Sequence, residues 1–123
     1  MGRVLVIDDD VAVLDFFFTY LTQQSQDVRI AESGTQGIKL AREFKPQIIF
    51  LDIVMPGLGG IDTLKRLREQ MPQTDVIMIS GNADHPTALK ALEMGAVDFI
   101  EKPFDLEYLS RLLLTRLALA PPP

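Results

Sequence analysis

The run Ile48-Ile49-Phe50-Leu51 stops abruptly at a single carboxylate, Asp52, and turn-forming residues, Met55-Pro56-Gly57-Leu58-Gly59-Gly60, follow close behind. Four consecutive apolar residues without polar alternation suit a strand covered on both faces, as in the centre of a parallel sheet. A carboxylate is a poor filler for such a strand. Asp52 therefore belongs at its carboxyl end, facing a loop, which is where open α/β sheets bind ligands.

The same pattern recurs along the chain. Val4-Leu5-Val6-Ile7 is a short apolar run ending in Asp8-Asp9-Asp10, and Val11, Leu14, Phe17, Phe18 and Leu21 then follow at helical spacing. Asp10 stands where an N-cap is expected, which accounts for one of the three acids without invoking function. Asp8 and Asp9 are left over. Val28 to Ala31 reads as a second strand, followed by Ser33 as a cap and a helix carrying Ile38, Leu40, Ala41 and Phe44, stopped by Pro46. Residues 47–52 form the third strand, and Gly60 to Met71 a third helix with Ile61, Leu64 and Leu67 on one face before Pro72. Val76 to Ile79 is a fourth strand closing on Ser80-Gly81-Asn82. A helix from about Asp84 to Met94 follows, with Gly95 as its stop. Val97 to Glu101 is a fifth strand reaching Lys102-Pro103, and Asp105 caps a last helix through Leu119. Strands alternating with helices predict an α/β fold with a mostly parallel sheet. Right-handed crossovers leave few arrangements, and a common one is the order 2-1-3-4-5 with its switch point between the first and third strands.

At 123 residues the chain fits one domain, read as residues 1–119, with 120–123 as a proline-rich tail or the start of a stiff linker. There are no cysteines, so neither disulfides nor thiolate metal sites arise. No apolar run approaches the roughly 18 residues that cross a bilayer, so no membrane association and a cytoplasmic location are expected. The net charge of −5 argues against direct nucleic acid binding by this domain and favours proteins or cations as partners.

Four strands end in a polar group: Asp8 with Asp9, then Asp52, Ser80 and Lys102. In the 2-1-3-4-5 order these ends share one edge of the sheet, so three carboxylates and one ammonium crowd together at a net charge of about −2. Such a cluster either takes up protons or binds a divalent cation. Oxygen donors without cysteine or histidine favour a hard ion, Mg2+ over zinc. Magnesium takes few carboxylates and commonly fills its shell with phosphoryl oxygens. Lys102 can neutralise a second phosphoryl oxygen and Ser80 can donate to a third, with the N–H groups that follow Asp52 and Ser80, those of Ile53 and Gly81, as further donors. A carboxylate beside a metal and a lysine can also be the nucleophile, giving an aspartyl phosphate.

These residues resemble the receiver domains of two-component response regulators over essentially the whole chain. Val6-Ile7-Asp8-Asp9-Asp10 resembles the family's acidic corner, Leu51-Asp52-Ile53-Val54-Met55-Pro56 with Gly60 its phosphorylation loop, Ile79-Ser80-Gly81 its hydroxyl position and Glu101-Lys102-Pro103-Phe104 its lysine loop. The resemblance implies a flavodoxin-like (βα)5 three-layer sandwich. It implies that Asp52 accepts phosphate from a sensor histidine kinase, with Mg2+ bound by Asp9 directly, by Asp8 through water, by Asp52 and by the Val54 carbonyl. It implies Ser80 and Phe99 as switch residues and a cis Lys102–Pro103 peptide. The receivers most similar to this pattern are those of transcriptional activators. Gly59 departs from the commonest form, standing where an acid often precedes Gly60, and Val54 and Asn82 beside the pocket do not fix how fast phosphate is lost.

Two rival functions share parts of this pattern. A flavodoxin-like cofactor binder would want a glycine- and hydroxyl-rich anion loop where Asp8-Asp9-Asp10 stand. A metal-dependent phosphatase with an aspartate nucleophile would share much of the pocket. His85 reads as an exposed helix-start residue. In the last helix Leu106, Leu109, Leu113 and Leu117 suffice for the core, leaving Tyr108, Leu112, Leu114 and Leu119 as an apolar surplus. That surplus points to dimerisation or output docking through the fourth and fifth helices.

Overall fold

The computed structural model describes residues 2–81 and 85–122, with His85 described by its backbone alone. Asn82, Asp84 and the His85 side chain, which the sequence reading touched, lie outside the described residues. Ten elements alternate: β1 (Arg3–Ile7), α1 (Val11–Gln23), β2 (Asp27–Ala31), α2 (Gly34–Phe44), β3 (Ile48–Asp52), α3 (Gly60–Gln70), β4 (Asp75–Ser80), α4 (His85–Glu93), β5 (Asp98–Glu101) and α5 (Leu106–Leu119). The strands form one parallel sheet in the order β2-β1-β3-β4-β5. Among the described residues no helix is long and apolar enough to cross a membrane.

The apolar strands feed two cores by alternation. Leu5, Ile7, Ile49, Leu51, Val76 and Met78 face one side, where they meet Ala41, Leu64, Leu67 and Ala91 of α2, α3 and α4. Val4, Val6, Ile48, Phe50, Ile77 and Ile79 face the other, against Leu14, Phe17 and Leu21 of α1 and Leu109 and Leu113 of α5. In the central strands β1, β3 and β4 each apolar residue thus has a core to enter whichever way it points, which is why their apolar runs show no polar alternation. On the α1–α5 side Phe17 anchors an aromatic cluster, its ring 4.8 Å from that of Phe50 and 5.0 Å from that of Phe104.

Local signals set the helix ends. The Asp10 carboxylate accepts from the Ala12 N–H, Ser33 from Gln36, and Asp105 from both Glu107 and Tyr108. At the C-terminus of α2, Lys45 takes a left-handed conformation (φ 54°) ahead of Pro46. Gly95, with φ 106°, follows α4.

The division of helix faces departs from the sequence reading in α1 and α5. Val11 and Phe18 are exposed, and the face of α1 that meets the sheet runs through Leu14, Phe17 and Leu21 with Val13, Phe16 and Tyr20 at its margins. Leu106 is also exposed, because it stands in the first turn of α5, past the end of β5, where it borders Phe16 rather than the sheet. Leu112, expected as surplus, packs instead against the α1–α5 core. The two leucines that follow it make the distinction measurable: Leu113 is 1 % exposed and Leu114 62 %. Leu113→Ala should cost about 2–5 kcal/mol of stability, read from urea unfolding midpoints. Leu114→Ala should change it by no more than about 0.5 kcal/mol.

Candidate functional site

Parallel register brings the carboxyl ends of β1, β3, β4 and β5 to one rim. Asp8 extends the ladder past β1, its N–H donating to the Ala31 carbonyl at 3.1 Å, and is fully buried. Both of its carboxylate oxygens are engaged: Oδ1 accepts from the Asp10 N–H at 2.9 Å and Oδ2 from the Lys102 ammonium at 3.1 Å. Asp52 is the last residue of β3, paired with Ile79 and 5 % exposed. Asp9 is exposed at the lip. One carboxylate oxygen from each of Asp8, Asp9 and Asp52 lies within 4.8 Å of the others, so the three acids that the sequence singled out share one site.

The hydroxyl and the ammonium arrive from the other strands. Ser80 is buried at the end of β4, opposite Glu101 of β5, and its carbonyl accepts from the Lys102 N–H at 2.9 Å. That bond carries Lys102 to the rim, and the Lys102–Pro103 peptide is cis. Gly81 leaves β4 at the surface, where its backbone lies beside the Lys102 stem. Phe99 lies on β5 across from Met78, partly buried against the α2–α3–α4 core.

One expected donor is placed differently. The Ile53 N–H donates to the Ile79 carbonyl at 3.1 Å, so the β3–β4 ladder runs one residue past Asp52 and uses the group expected to face phosphate. The N–H nearest the Asp52 carboxylate is that of Val54, whose separation from Oδ1 is 3.4 Å, and Val54 itself is exposed. The Val54 N–H thus donates to the Asp52 carboxylate at the rim, whereas the Ile53 N–H is turned into the sheet.

Two residues secure the loop: Gly60, which the resemblance places in it, and Thr63, which the sequence did not mark. Gly60 donates its N–H to the Ile53 carbonyl at 3.0 Å, and a Cβ there would overlap the Asp52 carbonyl oxygen, so only glycine lets α3 start this close to β3. Thr63 is fully buried and its hydroxyl donates to the Gly59 carbonyl at 2.8 Å. A threonine four residues after a glycine is the sequence trace of that bond, and it is too common to be read alone.

The family model described as the response regulator receiver domain matches residues 4–114. Among curated proteins, the chain is 33 % identical over 119 residues to the regulatory protein AtoC of Escherichia coli, an alignment spanning 97 % of this chain and 26 % of AtoC. It is 37 % identical over 113 residues to the probable C4-dicarboxylate response regulator DctR of Bacillus subtilis, spanning 90 % of this chain and 50 % of DctR. The chain thus spans about half or less of the length of these relatives. Among solved structures, the receiver domain of NtrX from Brucella abortus superposes with a TM-score of 0.87 at 33 % identity, over 94 % of this chain and 98 % of that one.

Electrostatics mark Asp52 as the strained member of the rim. Burial, then the neighbouring Asp8 carboxylate, raise its pKa from 3.8 to about 7, against the opposing pull of Lys102. Lys102 gives its ion pair to Asp8, so Asp52 carries the uncompensated burial. A raised carboxylate pKa means that the folded protein holds a proton which the unfolded chain has released between about pH 4 and 7. Stability contributed by this group therefore falls as pH rises through that window and stays low above it. Asp52→Asn should unfold at higher urea concentration than the parent at pH 8 in EDTA, with the advantage shrinking toward pH 4. Unfolding curves at matched pH measure that difference directly.

Proposed function

The chain belongs to the family of response regulator receiver domains, and we propose that it works as a phosphorylation switch in which Asp52 accepts a phosphoryl group from the phosphohistidine of a sensor kinase. The observation that carries this reading is the convergence of Asp8, Asp9 and Asp52 within 4.8 Å, with the Lys102 ammonium already on Asp8. Asp52 is the nucleophile: a carboxylate oxygen forms a bond to phosphorus as the P–N bond to the donor imidazole breaks, and the imidazole leaves.

The three acids offer only hard oxygen donors, a set that fits Mg2+. Asp9 and Asp52 would hold it directly with the Val54 carbonyl, and Asp8, whose two oxygens already accept hydrogen bonds, would act through water. When bound, Mg2+ supplies charge neutralisation between the carboxylates and the incoming phosphoryl oxygens. Lys102 compensates a second phosphoryl oxygen from the opposite side of the rim. The Ser80 hydroxyl and the N–H groups of Val54 and Gly81 are the remaining donors.

In this reading Ser80 draws toward the phosphate, Phe99 turns into the space vacated, and the surface formed by α4, β5 and α5 changes. Phosphate can drive this only by favouring one of two nearby states, and moving a population from 1:99 to 99:1 takes about 5.5 kcal/mol. The protein is a switch that consumes one phosphoryl group per cycle, and its setting is the cytoplasm. With relatives named as regulators, the output we propose is control of transcription through a further domain or partner. Exposed Leu89 and Leu92 on α4, and Tyr108, Leu114 and Leu119 on α5, supply an apolar surface for that partner or for a second copy.

Incubation with acetyl phosphate and Mg2+ should add one phosphoryl group by intact mass. EDTA or Asp52→Asn should abolish the gain, and Lys102→Ala should leave phosphorylated protein with a weakened conformational response. Labelling of Asp52→Asn at the parent's level would refute the assignment, and steady turnover of phosphoesters would favour the phosphatase. Light scattering should show beryllofluoride with Mg2+ shifting concentrated protein from monomer toward dimer. A mass that stays monomeric in both conditions counts against the second copy as the occupant of α4 and α5.

A further inference from the structure

At the pole of the domain opposite Asp52, the C-terminal ends of α2 and α3 leave a groove with a cavity of about 380 Å3. Arg42, Lys45, Gln47, Met71 and Thr74 contribute to its walls, and Pro121 and Pro122 form one side. Gln47 connects the two. Its backbone N–H donates to the Arg3 carbonyl at 2.9 Å, and its own carbonyl accepts from the Asp75 N–H at 3.1 Å, which fixes it between β1 and β4. Its side-chain Oε1 accepts from the Arg3 N–H at 3.1 Å. Because that backbone group can only donate, the amide oxygen must face it, and the amide nitrogen is turned the other way. There Nε2 donates to the Pro121 carbonyl at 3.1 Å, across 74 positions of sequence.

The tail is shaped for such a contact. Ala120 leaves α5 with φ −72° and ψ 143°, the polyproline II conformation that a residue before proline favours. A polyproline II segment makes no internal hydrogen bonds, so its carbonyls depend on outside donors, and its stiffness leaves little entropy to lose on seating. Arg116 holds the last turn of α5 in place through a 2.8 Å bond to Asp75 at the start of β4. Beside the cavity, Arg42 Nε donates to Gln70 Oε1 at 2.8 Å and joins α2 to α3.

We propose that the surface of α2, α3 and Gln47 that walls this groove is a seat for a polyproline II segment, and that the segment seated on it, closing the groove's remaining side, is the chain's own Ala120-Pro121-Pro122. The tail then leaves α5 sideways beneath α2 and α3, at the pole away from the acid rim, instead of extending the helix axis. Covalent attachment favours this occupant over a separate proline-rich peptide, because the tail is present at a high effective concentration.

The chain has no native cysteine, so Pro123→Cys gives a unique position for a nitroxide label. With the tail seated, the amide signals of Lys45, Gln70 and Gln73 should lose most of their intensity relative to the reduced label, while Asp9 and Val54 at the opposite pole keep theirs. Gln47→Glu keeps an acceptor toward Arg3 and removes the donor toward Pro121, and should restore the lost signals. Replacing Pro121 and Pro122 together by glycine leaves the walls from α2, α3 and Gln47 untouched and should restore them by relaxing the proline segment, which decides the matter if Gln47→Glu does not fold. Broadening confined to the end of α5, or groove broadening that survives these substitutions, overturns the proposal.

Discussion

Lys102 reaches from the end of β5 across the edge of the sheet to Asp8 beyond β1, passing the ends of β3 and β4. Burying a carboxylate without partners is costly, and fully buried Asp8 has two, the Lys102 ammonium and the Asp10 N–H. That pair ties together the two strands that flank β3 and β4. It also leaves Asp52 between them without an ion-pair partner of its own among the described residues. The rim is therefore built with one acid satisfied and one held under stress.

That stress has a chemical use. A carboxylate raised to a pKa of about 7 by burial and by a like-charged neighbour gains whenever a proton or a bound cation offsets its charge, and a phosphoryl group on it would add negative charge that Lys102 and a cation must offset in turn. The same arrangement works against stability in the unmodified protein above neutral pH. Parts of the loop between β3 and α3 are fixed firmly while the edge beside Asp52 stays open: Gly60, Thr63 and buried Met55 fasten it, and Val54 projects into solvent. Two poles of one sheet thus have different characters. One gathers unsatisfied charge, and at the other the strand starts are joined by a hydrogen-bonded glutamine.

Much of this was legible before any coordinates. The observed strand order is one of the few that alternation and right-handed crossovers allow, and α5 is bounded at Leu106 and Leu119 by an aspartate cap and a proline run. Asp8, Asp9 and Asp52 stood out because carboxylates ended apolar runs, and they lie together. The side of a helix that meets the sheet was less readable. Leu106 fits the helical period as well as Leu109 does, yet it stands past the last strand residue, and periodicity says nothing about where the sheet stops. A sequence likewise does not show how far a ladder runs, so the Ile53 N–H reads as a phosphate donor although it bonds to the Ile79 carbonyl.

What the sequence determined by itself was local: which runs form strands, where helices are capped, and which chemical groups stand at strand ends. Those depend on side-chain character and spacing within a few residues. Tertiary structure alone decided which carboxylate receives the lysine, which N–H donates to Asp52, and that Gln47 meets Pro121. Each of these is a competition for one hydrogen bond between groups far apart in the chain, and only the packed sheet brings the competitors within reach.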